Sequence, residues 1–131
     1  MNNLIAIVPV RNNAEQMKGL IKHLKSQYEA ILIVDDASTD ATSTILRDSW
    51  ALPVSKYLPG DGFFALYHED TLGYNKSSLD GLEMAKSAGF TLAHLYTINN
   101  GPQLSYHYKV VQLKNHNFNS WIYKYFLKWL V

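Results

Sequence analysis

Apolar positions along this chain alternate between short unbroken runs and stretches in which they return every three or four residues. Leu4–Pro9 and Ile31–Val34 are continuous runs, the pattern of strands covered on both faces. Val10–Asn13 forms the exit from the first. Between the two runs, Met17, Leu20, Ile21 and Leu24 fall on one stripe of a helix over Ala14–Gln27. Past the second, Ser38, Thr39 and Asp40 offer N-caps for a helix from about Ala41 to Ser49 that buries Ile45 and Leu46. Leu52–Gly62 contains Pro53, Pro59, Gly60 and Gly62 and reads as a loop. Phe63–Tyr67 is a short strand. Gly73 opens a turn into a third helix that runs to about Ala88, burying Leu79, Leu82 and Ala85, with Gly89 as its C′ residue. Leu92–Ile98 is a strand stopped by the turn Asn99-Asn100-Gly101-Pro102. Tyr106–Leu113 alternates as a strand. Phe118–Leu130 is a final helix, with Phe118, Trp121, Ile122, Tyr125, Phe126, Trp129 and Leu130 on one stripe. Strands alternating with helices predict βαβ units, so the fold class is α/β, a mainly parallel sheet flanked by helices.

Composition narrows this picture. The 131 residues, 47% of them hydrophobic, predict one compact domain over the whole chain, with no internal repeat. The absence of cysteine excludes disulfides and thiolate metal sites and fits a reducing, cytoplasmic setting. Leu4–Val10 is too short for a signal-peptide core, and no run is long enough to span a bilayer. Charge is unevenly spread. Residues 1–83 carry seven Lys/Arg against eleven Asp/Glu, net −4, whereas residues 84–131 carry five Lys and no acid, net +5. The basic end either keeps an aromatic-rich segment soluble or attracts anions. No nucleic-acid partner is expected. The last helix is open to three readings: it covers a sheet face, pairs with a second subunit to give a homodimer, or lies peripherally on a membrane surface, where Trp, Tyr and Lys are favoured.

The chemistry gathers at ILIVDDASTD, Ile31–Asp40, where a buried strand runs into two carboxylates. In open α/β sheets ligands bind beyond that edge. Carboxylates at a sheet edge often cap the adjoining loop, and Asp35 reads as one that does. Lys76, Ser77 and Ser78 begin the third helix, where backbone amides and Lys76 could hold an anion. The five histidines, His23, His68, His94, His107 and His116, show no metal spacing. Gly60-Asp61-Gly62 is a turn, and there is no phosphate-loop or dinucleotide-binding pattern.

Four segments in order resemble the nucleotide-binding half of family 2 glycosyltransferases, which have the GT-A fold, a Rossmann-like nucleotide-diphospho-sugar transferase architecture. They are IAIVPVRNN (Ile5–Asn13), IVDDASTDAT (Ile33–Thr42), LGYNKSSLDGLEMAKSAGF (Leu72–Phe90) and YTINNGPQ (Tyr96–Gln103). The resemblance covers residues 4–103 and makes residues 104–131 an added strand and amphipathic helix. It implies a nucleotide-diphospho-sugar ligand, with Asp36 hydrogen-bonding the base and Pro9, Val10 and Arg11 packing against it. Arg11 stands where many members have an aromatic residue, and a guanidinium also stacks on a base. The family's Asp-x-Asp, which holds a divalent cation on the diphosphate, is replaced here by Asn99, Asn100 and Gly101. Mg²⁺ and Mn²⁺ want anionic oxygen. No metal site or divalent-cation cofactor is therefore expected, and metal-dependent transfer should be reduced or absent. The resemblance also implies an acceptor half that supplies a general base. Asp and Glu stop at Glu83, so His107 and His116 are the titratable substitutes, and no catalytic residue is assigned. The alternative is a non-catalytic interaction or regulatory domain that self-associates or docks on a partner or membrane surface through its last helix.

Overall fold

A computed structural model describes residues 3–114 of the chain. The predicted helix over Phe118–Leu130 and the candidate base His116 lie outside the described residues. Among the described residues nine elements follow one another: β1 (Leu4–Val10), α1 (Ala14–Gln27), β2 (Ala30–Asp35), α2 (Thr42–Asp48), β3 (Leu52–Val54), β4 (Gly62–Tyr67), α3 (Tyr74–Ser87), β5 (Leu92–Ile98) and β6 (Tyr106–Gln112). The six strands form one sheet in the order β3-β4-β2-β1-β5-β6. All neighbours are parallel except β5 and β6, which pair antiparallel from Leu92↔Gln112 to Ile98↔Tyr106.

Side-chain alternation along the central strands builds two cores. Ala6, Val8, Ile31 and Ile33 point to the face covered by α1, where Met17, Leu20, Ile21 and Leu24 form the predicted stripe. Ile5, Ile7, Leu32 and Val34 point to the other face, where α3 contributes Leu79, Leu82 and Ala85. The third helix packs unusually close. A Cβ on Gly81 would lie 2.5 Å from Ile7 Cγ2 and 3.3 Å from Val34 Cγ2. Gly89, with φ +94°, follows the helix in the left-handed conformation expected of a C′ residue.

Two expectations need correction. Leu52–Gly62 is not all loop, because Leu52–Val54 pairs with β4 as a short edge strand. Pro53 is compatible with this position, since an edge strand needs backbone donors on one side only. The second helix also starts later than the predicted caps. Its N-cap is Ala41, which makes no side-chain cap bond. Asp40 instead spans two helix starts, accepting from Thr42 N at 2.9 Å and Ala14 N at 3.1 Å. Ser38 Oγ accepts from Asn12 N, and Asn12 Oδ1 accepts from Thr39 N. The polar residues read as caps therefore lace the exit of β2 to the exit of β1.

The topology places a crevice between the exits of β1 and β5. From β1 the chain moves to β2 and β4 on one side, then crosses back through α3 to β5 on the other side of β1. The strand order reverses at the β1–β5 junction, the position at which open α/β sheets leave a ligand crevice.

Candidate functional site

Asp35 and Asp36 are adjacent, and alternation sends them to opposite faces of the sheet. Asp35, the last residue of β2, accepts from Ser38 N, Ser38 Oγ and Ser43 Oγ, which ties β2 to the start of α2. Asp36 turns toward α3. Its Oδ1 accepts from Leu72 N at 2.9 Å and lies 2.8 Å from His68 Nδ1, while its Oδ2 accepts from Gly73 N at 2.9 Å. Gly73 has φ +93°, a conformation that favours glycine, and it presents that N–H from the residue before α3. Burial works to raise the Asp36 pKa. The bonds from Leu72, His68 and Gly73 outweigh it and hold the carboxyl below its usual range.

A cavity of about 210 Å³ opens beside Asp36 at the β1–β5 junction. Pro9, Val10 and Arg11 line it from the exit of β1, and Thr97, Ile98 and Asn100 from the end of β5. Gly73, Tyr74 and Ser77 close it from the start of α3. Arg11 Nε donates to Thr71 Oγ1 at 3.1 Å, which holds the guanidinium stem at the rim. Tyr74 OH donates to Tyr96 O at 2.8 Å and lies 2.9 Å from Thr97 Oγ1, fastening α3 to β5. Burial, only partly offset by side-chain bonding such as that with Thr97, pushes the Tyr74 phenol up, so it stays protonated near neutral pH. The wall thus combines apolar surface, one carboxylate, the Arg11 guanidinium and neutral hydrogen-bonding groups.

The turn after β5 is organised from α1. Gln16, buried, donates through Nε2 to Asn99 O at 2.8 Å and Gly101 O at 2.6 Å, and its Oε1 accepts from Asn13 Nδ2 at 3.0 Å. Asn99 turns its side chain to Ser105 Oγ, 3.1 Å away. Two backbone carbonyls of this turn are therefore committed to an amide inside the fold.

Of the residues singled out from the sequence, Pro9, Val10, Arg11, Asp36 and Asn100 line one cavity. Lys76, Asn99 and Gly101 are not among its lining residues. The Lys76 ammonium lies 2.7 Å from Asp80 Oδ1, one helical turn along α3. Tyr106 and Tyr108 also stay out of the cavity and pack against Tyr96 in an aromatic cluster, in which Tyr106 OH meets His23 Nε2 at 2.8 Å. Sequence reasoning passed over His68 and Gln16. The signal for His68 was its place immediately after β4, on the same carboxyl edge as Asp36. Among the described residues no group of three or more His, Asp or Glu could hold a metal ion, and no helix is long and apolar enough to cross a membrane.

A mainly parallel sheet flanked by helices, with a crevice at its switch point and the Asp36 carboxylate on one lip, defines a Rossmann-like α/β fold of the GT-A type. The model of glycosyl transferase family 2 matches residues 5–93, from β1 into β5, and the chain belongs to that family. The comparison with curated proteins gives no match.

Proposed function

We propose that this chain is a nucleotide-diphospho-sugar-binding module of the family 2 type in which metal-dependent transfer is weak or lost. The carrying observation is the cavity that brings Asp36 together with the β1 exit and Asn100, beside a turn that offers Asn99, Asn100 and Gly101 and no carboxylate. Apolar and aromatic surface suits a base, and the carboxylate suits a base N–H. A diphosphate bound there would lack the cation that usually offsets its charge. Isothermal titration of uridine and guanosine diphospho-sugars, with and without Mn²⁺, tests the reading. Weak binding that Mn²⁺ leaves unchanged is expected, and micromolar affinity that requires Mn²⁺ contradicts it. A cytoplasmic setting goes with this reading, supported by the cysteine-free sequence.

A second reading, self-association as a homodimer without catalysis, draws on β6. Among the described residues it is the edge of the sheet, and it exposes Tyr108 at 46% and Val110 at 60%. An unpaired edge with apolar side chains is a template for a second strand. Association through the stripe over Phe118–Leu130, with a second copy or a membrane surface, belongs to the same reading.

A further inference from the structure

We propose that His68 is the positioning residue of this cavity: held as an imidazolium between Asp36 and Asp80, it fixes the Asp36 carboxylate so that Oδ2 is the oxygen left to meet a ligand N–H. The proposal rests on the reading of the cavity as a nucleotide site and deepens it by naming the acceptor atom and the residue that sets it.

The geometry leaves His68 few choices. Nδ1 lies 2.8 Å from Asp36 Oδ1 and Nε2 lies 2.9 Å from Asp80 Oδ2. Ionised carboxylates only accept hydrogen bonds, so each ring nitrogen must donate. A neutral ring would set a bare lone pair against an oxygen at one end. The His68 side chain is 8% exposed and that of Asp36 is 6% exposed, so little water is at hand to relieve such a contact at the Asp36 end. The backbone N–H of His68 donates to Asp35 O at 2.9 Å, which pins the ring's point of departure from β4.

Charge follows the same line. With the ring protonated as proposed, Asp36, His68, Asp80 and Lys76 alternate in sign from the cavity wall to the surface of α3, the last link being 2.7 Å. Charge-assisted bonds of this kind are the stronger class. The other charged groups near the ring are Glu83 on α3 and Lys56 after β3, which line one cleft with His68 and Asp80. The Asp36 charge is thus compensated inside the protein. A site for a polyanionic ligand benefits, since an unpaired carboxylate would repel it. Oδ1 is taken by His68 and Leu72. Among the described residues Oδ2 accepts from Gly73 N alone, which leaves it an acceptor direction.

Three variants of the full chain separate clamp from scaffold. His68→Asn keeps a donor near the Nδ1 position, His68→Gln keeps one near Nε2, and His68→Phe keeps neither. In the ligand-free wild type, nitrogen NMR of the ring is expected to show hydrogen on both nitrogens at neutral pH. The Asp36 side-chain carbon should titrate below the ordinary carboxylate range, move up in His68→Gln and His68→Phe, and move least in His68→Asn. Affinity for uridine or guanosine diphosphate, by calorimetry, should stay within about threefold in His68→Asn and fall about tenfold in His68→Gln, the loss of one charge-assisted bond. Amide spectra check that each variant is folded, and the Asn/Gln pair carries the comparison if His68→Phe is not. A bare ring nitrogen in the wild type overturns the proposal, as does His68→Gln binding like wild type. Failure of the wild type to bind either diphosphate overturns the nucleotide reading, and with it the ligand role of Oδ2. The two NMR measurements judge the clamp independently of that result.

Discussion

Asp35 and Asp36 differ by one position and by a whole face of the sheet. Asp35 serves the fold: Asp35→Ala strips half-buried hydroxyl and amide donors of their acceptor and should cost about 1–3 kcal/mol of stability. Chemical denaturation checks this. Asp36 serves the cavity wall. Asp36→Asn keeps its size and removes its charge, and nucleotide binding should weaken by about 1.5–3 kcal/mol. Calorimetry that found Asp35 the more important of the two for binding would reverse this assignment. Acid adds a signed test. Because the folded Asp36 pKa is lowered, its contribution to stability is complete above the ordinary carboxylate range. It is lost as pH falls through the depressed folded value. Wild type should therefore lose stability in acid faster than Asp36→Asn, and parallel acid limbs in urea titrations would contradict that. The Asp pair was legible in the sequence because four apolar residues, Ile31–Val34, run straight into it. Gln16 was not legible. Its partners Asn99 and Gly101 lie 83 and 85 residues away, and helical periodicity reads it as one more polar position.

At the scale of elements, apolar periodicity located α1 and α3 well because each has a single buried stripe of strong contrast. It missed β3, where three residues containing Pro53 carry no period and pairing with β4 decides the outcome. It also missed that Asp40 holds the starts of α1 and α2 together, since a cap acting across 26 residues leaves no local spacing. The close seat of α3 on the sheet gives a sharp prediction. Alanine at position 81 gains about 1 kcal/mol of helix propensity. Its methyl, however, must displace the fully buried Ile7, and overpacking of that kind costs about 1–3 kcal/mol. Gly81→Ala should lower the thermal midpoint, and an unchanged or raised midpoint would show that α3 can back away from β1. The turn over 99–103 depends on α1 in a comparable way. Gln16→Leu leaves two carbonyls without their donor and should weaken nucleotide binding as well as stability.

For the whole molecule, βαβ alternation in the sequence made the parallel sheet legible, but not the strand order β3-β4-β2-β1-β5-β6, which depends on where α3 crosses. That order makes the β1–β5 junction a crevice and, among the described residues, leaves β6 at the edge. If β6 mediates association, sedimentation at micromolar concentration should find a dimer that Tyr108→Lys with Val110→Glu dissociates, because charge on an edge strand blocks strand addition. A wild-type monomer contradicts this, and a dimer that survives the double change places the contact elsewhere. The central claim is that the cavity beside Asp36 takes a nucleotide without a metal ion at the 99–101 turn. Amide NMR of the full chain, with uridine or guanosine diphosphate added first and Mn²⁺ second, tests it most directly. The account predicts shifts at Arg11, Asp36, Leu72, Gly73 and Asn100 on nucleotide addition, and no selective paramagnetic broadening at Asn99, Asn100 and Gly101 when Mn²⁺ follows. Shifts elsewhere, or selective loss of the 99–101 signals with Mn²⁺, would contradict it.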